Sequence, residues 1–288
     1  MNRFLIIFLL IGLVSCETEK KEPSGPVIAV SVVPQVYLVK SIIDTLADVV
    51  VMVPPGASPA TWEATPSDMK SLGDALVYLR IGHIGFEQAW ISNIMDINPD
   101  LRIVDLSANL PLRGIDYKHG DHSHRGVDPH TWMSPANMEV MARRIFGEME
   151  KLFPENKPQL RRNYSKLMVE IKGANNFASR ELAGHKGESF LIFHPSLGYY
   201  ADAYELTQMS IEYEGKEPSP AHMKEVIDQA RAAGIKTIFV QKEFDMRNAE
   251  IIAEEIGANV VQIDPLSIDW PAEMKRITLS LKSSFDNE

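Results

Sequence analysis

Cysteine is almost absent: Cys16 is the single one in 288 residues, so neither an internal disulfide nor a cysteine-built metal cluster can organise the fold. Long apolar runs are also lacking. The longest, Phe4–Val14, is shorter than the roughly 20 residues a membrane-spanning helix needs, and no later segment comes close, which excludes a helical membrane bundle. Basic charge is in deficit, with 29 Lys and Arg against 39 Asp and Glu and a formal net charge of −10. That balance disfavours nucleic acid and anionic lipid as partners and mildly favours cations. HExxH, GxSxG and phosphate-cradling glycine loops do not occur, so the common zinc-peptidase, serine-hydrolase and nucleotide-binding signatures are missing. The 13 methionines are scattered without a repeated Met-x-x-Met motif, as core gap fillers are, and give no reason to invoke a copper carrier. No residue-level repeat or low-complexity tract is present.

What is present begins with Arg3 ahead of the apolar run, which ends in Leu13-Val14-Ser15-Cys16. This is the pattern of a bacterial export signal of lipoprotein type, with residues 1–15 removed and Cys16 acylated as the new first residue. Losing Arg3 would move the net charge from −10 to −11. Residues 16–25, charged and rich in breakers, read as a flexible tether. The expected product is exported, tethered by lipid to a bacterial membrane and facing the periplasm or cell exterior.

Downstream, short β-branched runs alternate with helical stretches, the pattern of an α/β fold built from βα units around parallel sheets. Strands are expected at Val27–Val33, Val49–Val53, Ala75–Ile81 and Leu101–Leu106, and again at Ser189–Phe193, Gln208–Tyr213, Lys236–Val240 and Asn259–Ile263. Between the two sets, after Pro154 and Pro158, Gln159–Leu182 reads as one helix, about 35 Å long at 1.5 Å per residue. The expected organisation is a first lobe over residues 26–153, a rigid linking helix over 154–184 and a second lobe over 185–288.

Chemistry-bearing residues gather where these strands end. His130 stands in Asp128-Pro129-His130-Thr131-Trp132, ahead of a helix opened by Ser134-Pro135; His194 and Asp264 each follow a strand and precede a proline. Open α/β sheets place ligands at the carboxyl ends of their strands. Two neutral imidazoles and a carboxylate suit zinc, manganese or iron and not copper(I), which prefers sulfur. Each residue alone reads as an ordinary loop or turn residue; the matching strand-end positions in both lobes make the three specific.

The segments DPHTWMSP, FHPSLGYY and IDPL, with VPPGASPATWEATPSDM and GFEQAW, resemble the zinc and manganese solute-binding lipoproteins of ABC transporters over nearly all of the chain after the tether. The resemblance implies two pseudo-symmetric lobes joined by a rigid helix, a metal in the cleft between them, a membrane permease and an ATPase as partners, and no catalysis. It carries three ligands over as His130, His194 and Asp264. Where the family has its first histidine this chain has Ala60, which cannot ligate. His83, two residues past the third strand, is the candidate replacement, with Glu63 and Glu243 as weaker substitutes. Glu87 reads instead as the acidic residue at the start of a helix, where the dipole favours its charge. The polar stretch Lys118–Arg125, carrying His119, His122 and His124, resembles a shortened form of the family's His-rich loop, which implies an auxiliary metal site and favours zinc over manganese. Trp62, Trp90, Trp132, Tyr199 and Tyr200 would wall the cleft. Because protons compete with metal for imidazole, affinity is expected to fall below about pH 6.5. A monomer is expected. The rival readings are a metal-dependent hydrolase, which two histidines, an aspartate and an open position would permit, and an adhesin whose site is modified.

Overall fold

The computed structural model describes residues 25–119, 122–212 and 218–286. The export signal, Cys16 and all of the tether except Gly25 lie outside the described residues, as does Tyr213 at the end of one expected strand. The first lobe runs β1 (Val27–Val30), α1 (Val33–Ile43), β2 (Asp48–Val51), α2 (Pro66–Gly73), β3 (Val77–Arg80), α3 (Gly85–Ile97) and β4 (Arg102–Asp105). A hairpin of β5 (Gly114–His119) and β6 (His122–Val127) follows, then α4 (Pro135–Leu152) and the long α5 (Lys157–Glu181). The second lobe runs β7 (Ser189–Ile192), α6 (Gly198–Ala203), β8 (Thr207–Ser210), α7 (Pro220–Ala232), β9 (Thr237–Gln241), α8 (Arg247–Ile256), β10 (Asn259–Ile263) and α9 (Trp270–Asp286).

Each lobe holds a four-stranded parallel sheet, ordered β2-β1-β3-β4 in the first and β8-β7-β9-β10 in the second. In both, the first strand pairs on one side with the second and on the other with the third, so the lobes repeat one topology. The chain reverses its winding between β1 and β3 and between β7 and β9, and a crevice opens there at the strands' carboxyl ends.

The alternation of side chains along β7 shows how the sheets are buried. Phe190 and Ile192 face one way, into a core that runs through the first lobe, α5 and α9. Leu191 and Phe193 face the other, into a smaller cluster under α7 and α8 with Ile238 and Val240. Side chains that alternate in this way, apolar on both faces, are what a fully covered parallel strand requires. Helix α5 packs on α1 and α4 of the first lobe and on α9 of the second. Its buried stripe Leu160, Leu167, Ile171, Ala174 and Ala178 follows the three- and four-residue spacing of an amphipathic helix.

The linking helix and the eight sheet strands lie where the sequence places them, with strand ends differing by up to three residues. The hairpin is a departure. Its antiparallel register pairs Gly114 with Val127, Tyr117 with His124 and His119 with His122, across a stretch read from sequence as a polar loop. Ile115 and Tyr117 are the one alternating apolar pair in an otherwise polar, His-rich stretch, too short a signal to mark strands, so the backbone pairing defines them.

Candidate metal centre

A cavity with about 20 Å³ of space lies between the lobes, room for one water-sized species. Its wall includes His130 and Trp132 from the first lobe and His194, Gln241, Glu243 and Phe244 from the second. Ser58 and Pro59, just before Ala60, also line it.

His130 follows β6 and precedes α4, whose first turn is capped by Ser134 Oγ accepting from Asn137 N and is opened by Pro135. Its ring is fixed by Asp128: Nδ1 donates to Asp128 Oδ1 at 2.8 Å, and the same oxygen accepts from His130 N at 2.9 Å. Asp128 is fully buried, and its Oδ2 makes no hydrogen bond, with Arg113 Nη1 at 3.6 Å. Burial pushes the Asp128 carboxyl up, but the hydrogen bonds and charge of His130, with Arg113, outweigh it and hold the carboxyl below its ordinary range. Burial pulls the His130 imidazole below its ordinary value, against the upward pull of Asp128. The buried ring is thus kept neutral, the form that ligates a metal.

His194, two residues past β7, repeats the arrangement in the second lobe. Its Nδ1 donates to Glu212 Oε2 at 2.8 Å, and Phe244 stacks on the ring at 5.2 Å between centroids and 19° between planes. Gln241 clamps the backbone, Nε2 donating to His194 O and to Ser196 Oγ. With both Nδ1 hydrogens given to carboxylates, each Nε2 presents a lone pair, and the two Nε2 atoms face each other at 3.3 Å. Two acceptors at that distance repel unless a cation or a proton lies between them. Nitrogens bound to one tetrahedral zinc at about 2.05 Å each would stand about 3.3 Å apart.

The other expected site residues are placed differently. Asp264 follows β10, where its backbone N donates to Glu273 Oε1, but its Oδ2 accepts from Lys242 Nζ at 2.8 Å and it does not line the cavity. His83 sits half-buried in the turn after β3 and also does not line the cavity. That turn is drawn back into the first lobe by Glu87, in the first turn of α3, which accepts from Ser31 Oγ, from Ile81 N at 2.8 Å and from Gly82 N at 2.5 Å. Gly82, at φ +106°, closes the turn where a Cβ would meet Ser107 Oγ at 2.6 Å. His119 lies on β5, and His122 and His124 on β6.

Trp132 lines the cavity, whereas Tyr200 is buried and bonded to Thr278, and Tyr199 braces the hairpin base by donating to Asp128 O and accepting from Arg113 N. Among the described residues, no three His, Asp or Glu side chains already converge on one point. Two imidazoles are preset, and any third donor must rotate in. Glu243 is the cavity-lining carboxylate; burial raises its pKa, Asp264 raises it further, and Lys242 and His194 oppose the rise.

The family model described as zinc-uptake complex component A, periplasmic (ZnuA), matches residues 28–282. The high-affinity zinc uptake system protein ZnuA of Bacillus subtilis (strain 168) is 23% identical over 247 residues, covering 81% of this chain and 76% of its own length. The zinc-binding protein AdcA of Streptococcus pyogenes serotype M1 is 26% identical over 258 residues and 82% of this chain, which spans only 49% of that relative. A crystal structure of ZnuA superposes with a TM-score of 0.81 at 32% identity, over 90% of this chain and 99% of that one. The Mn2+ complex of FpvC from Pseudomonas aeruginosa, at 23% identity and a TM-score of 0.79 over 91% of this chain and 99% of its own, shares the fold. With one family model spanning both lobes and the cavity between them, the chain belongs to the family of periplasmic zinc-uptake component A, the solute-binding components of zinc transporters.

Proposed function

We propose that this chain is the extracytoplasmic solute-binding component of an ABC transporter, capturing zinc between His130 and His194 and passing it to a membrane permease driven by an ATPase. The observation that carries the reading is the pair of Nε2 atoms at 3.3 Å, each ring oriented by a carboxylate on its far nitrogen. Such carboxylate–histidine pairs fix the tautomer and raise the ligand's basicity. Zinc is the cargo and not a resident cofactor. Neutral imidazoles replace its bound water, and Asp264, released from Lys242, supplies a carboxylate from the end of β10. Manganese is the alternative cargo, because carboxylate donors suit it as well.

Anchoring through lipid on Cys16 and a monomeric state belong to the same proposal. The His-bearing hairpin, with His119 paired to His122, would hold a second zinc more loosely. The test is elemental analysis, with zinc and manganese titration, of the chain lacking Met1 to Cys16 beside its His130→Ala variant. One tightly held zinc, lost in the variant, is the expected result; no metal bound by the parent would refute the proposal.

A further inference from the structure

The cavity presents two facing imidazoles, short of the four donors of a tetrahedral zinc, and leaves open a donor position that Ala60, next to the cavity-lining Pro59, cannot fill. We propose that Glu243, in the turn after β9, fills that position, so that the metal is held by two imidazoles and by carboxylates from the second lobe. This inference rests on the capture reading above and specifies its ligand set.

Three observations carry it. Glu243 lines the cavity together with both imidazoles, whereas His83 and Asp264 do not. Its turn is pinned on both sides. Phe244 lies against the His194 ring and its N donates to Gln241 O at 3.1 Å, while Lys242 N donates to Ile263 O at 3.1 Å and the Gln241 side chain grips His194 O and Ser196 Oγ. Glu243 is therefore carried on a short turn fixed to the same backbone that carries His194. Lys242, its neighbour in sequence, is paired with Asp264. Finally, β7 and β9 flank the point where the second sheet reverses its winding, so His194 and Glu243 occupy the two lips of the crevice where such sheets bind ligands.

His83 is the competing candidate, and the geometry disfavours it. Glu87 holds the amides of Ile81 and Gly82, which ties the turn bearing His83 to the interior of the first lobe. A glutamate needs only rotations about its own side-chain bonds to bring an oxygen to the imidazole pair. For His83 the backbone of the turn would have to leave Glu87, breaking two hydrogen bonds to a buried carboxylate.

The experiment compares zinc affinity, by competition with a chromophoric chelator, and the visible spectrum of the Co2+-loaded chain for the parent, Glu243→Gln and His83→Ala. Glu243→Gln keeps the size of the side chain and removes its charge. The expected result is a loss of at least about tenfold in zinc affinity and shifted Co2+ ligand-field bands in Glu243→Gln, with His83→Ala matching the parent on both counts. Unchanged affinity and spectrum in Glu243→Gln, or the loss appearing in His83→Ala instead, overturns the assignment while leaving the capture reading standing. Failure of the parent itself to bind zinc removes both and is read before any variant is compared.

Discussion

A Cβ added at Gly198 would lie 2.6 Å from Asp128 Oδ2 and 2.8 Å from Arg113 Nη1. Asp128 has no slack to give, because its other oxygen holds both the ring and the backbone of His130. Gly198→Ala should therefore tilt the His130 ring without touching it, and zinc affinity should drop by about 10–100-fold, as when a carboxylate partner of a ligating histidine is disturbed. Chelator competition measures this; an unaltered affinity would mean that α6 shifts away as a body. The pH response also belongs to this scale. His130's pKa is lowered in the fold, by burial first, so between its folded value and the unfolded value of about 6.5 the unfolded chain binds more protons than the native one. Stability from this group is then fully present above about pH 6.5 and is lost as pH falls towards the folded value. For metal the consequence is a refinement of the expectation drawn from sequence: proton competition at His130 sets in below the free-imidazole value of about 6.5 and not at it. Zinc titrations from about pH 7.5 down to about pH 5 should give a flat affinity first and a decline later; a decline already under way above neutrality would contradict the depressed pKa. The strand-end positions of His130, His194 and Asp264 were legible in sequence because each follows a strand or its loop and abuts a proline or an Asp-Pro, and of the three the structure brings His130 and His194 to the cavity. That Lys242 occupies Asp264 while Glu243 faces the cavity was not, since rotamers and ion-pair choice are decided by neighbours from a different strand.

At the scale of elements, the sheet strands were legible because parallel strands covered on both faces must be apolar almost throughout. The linking helix was legible from two prolines at its start and a long stretch without another. The hairpin β5-β6 was not, since Ile115 and Tyr117 are too few alternating apolar residues to mark a strand and the two strands are defined by pairing with each other. Helix α5 differs from the hairpin in that its worth is set by packing on elements of both lobes. Ile171 is fully buried in it, within the core shared with α1, α4 and α9. Ile171→Ala should cost about 2–5 kcal/mol, measured by urea unfolding. The zinc affinity of the folded fraction should be preserved, because no cavity-lining residue belongs to α5. A variant that lost affinity in proportion to stability would show that α5 sets the spacing of the two imidazoles.

For the whole molecule the question is whether two lobes move as two bodies. The core says they do not: Ile28 of the first sheet, Ile171 of the linking helix, Phe190 of the second sheet and Trp270 of the last helix belong to one contiguous cluster. Two indoles stitch the lobes beside the cavity. Trp132 Nε1 donates to Pro265 O and Trp270 Nε1 donates to Trp132 O, each at 2.9 Å, and both rings are buried. Opening a hinge here would expose that core and leave buried N–H and C=O groups unpaired, whereas closure around a ligand in hinged proteins is absorbed by a few loop residues. The imidazole pair already stands at the spacing a single tetrahedral ion needs, so capture requires only side-chain rotation by the carboxylates. Metal binding should then stabilise without compaction. At a free zinc concentration about 100 times Kd the gain is about 2.7 kcal/mol, seen as a rise in Tm, while the radius of gyration in small-angle X-ray scattering stays at about 19 Å, the value for a compact chain of this length. The metal-free chain should also unfold in one transition, with far-ultraviolet dichroism and tryptophan fluorescence coinciding. A measurable contraction on adding zinc, or two separate transitions, would instead make the lobes independent bodies. Release to the transporter would then work by opening the lobes and not by displacing ligands from a preset site.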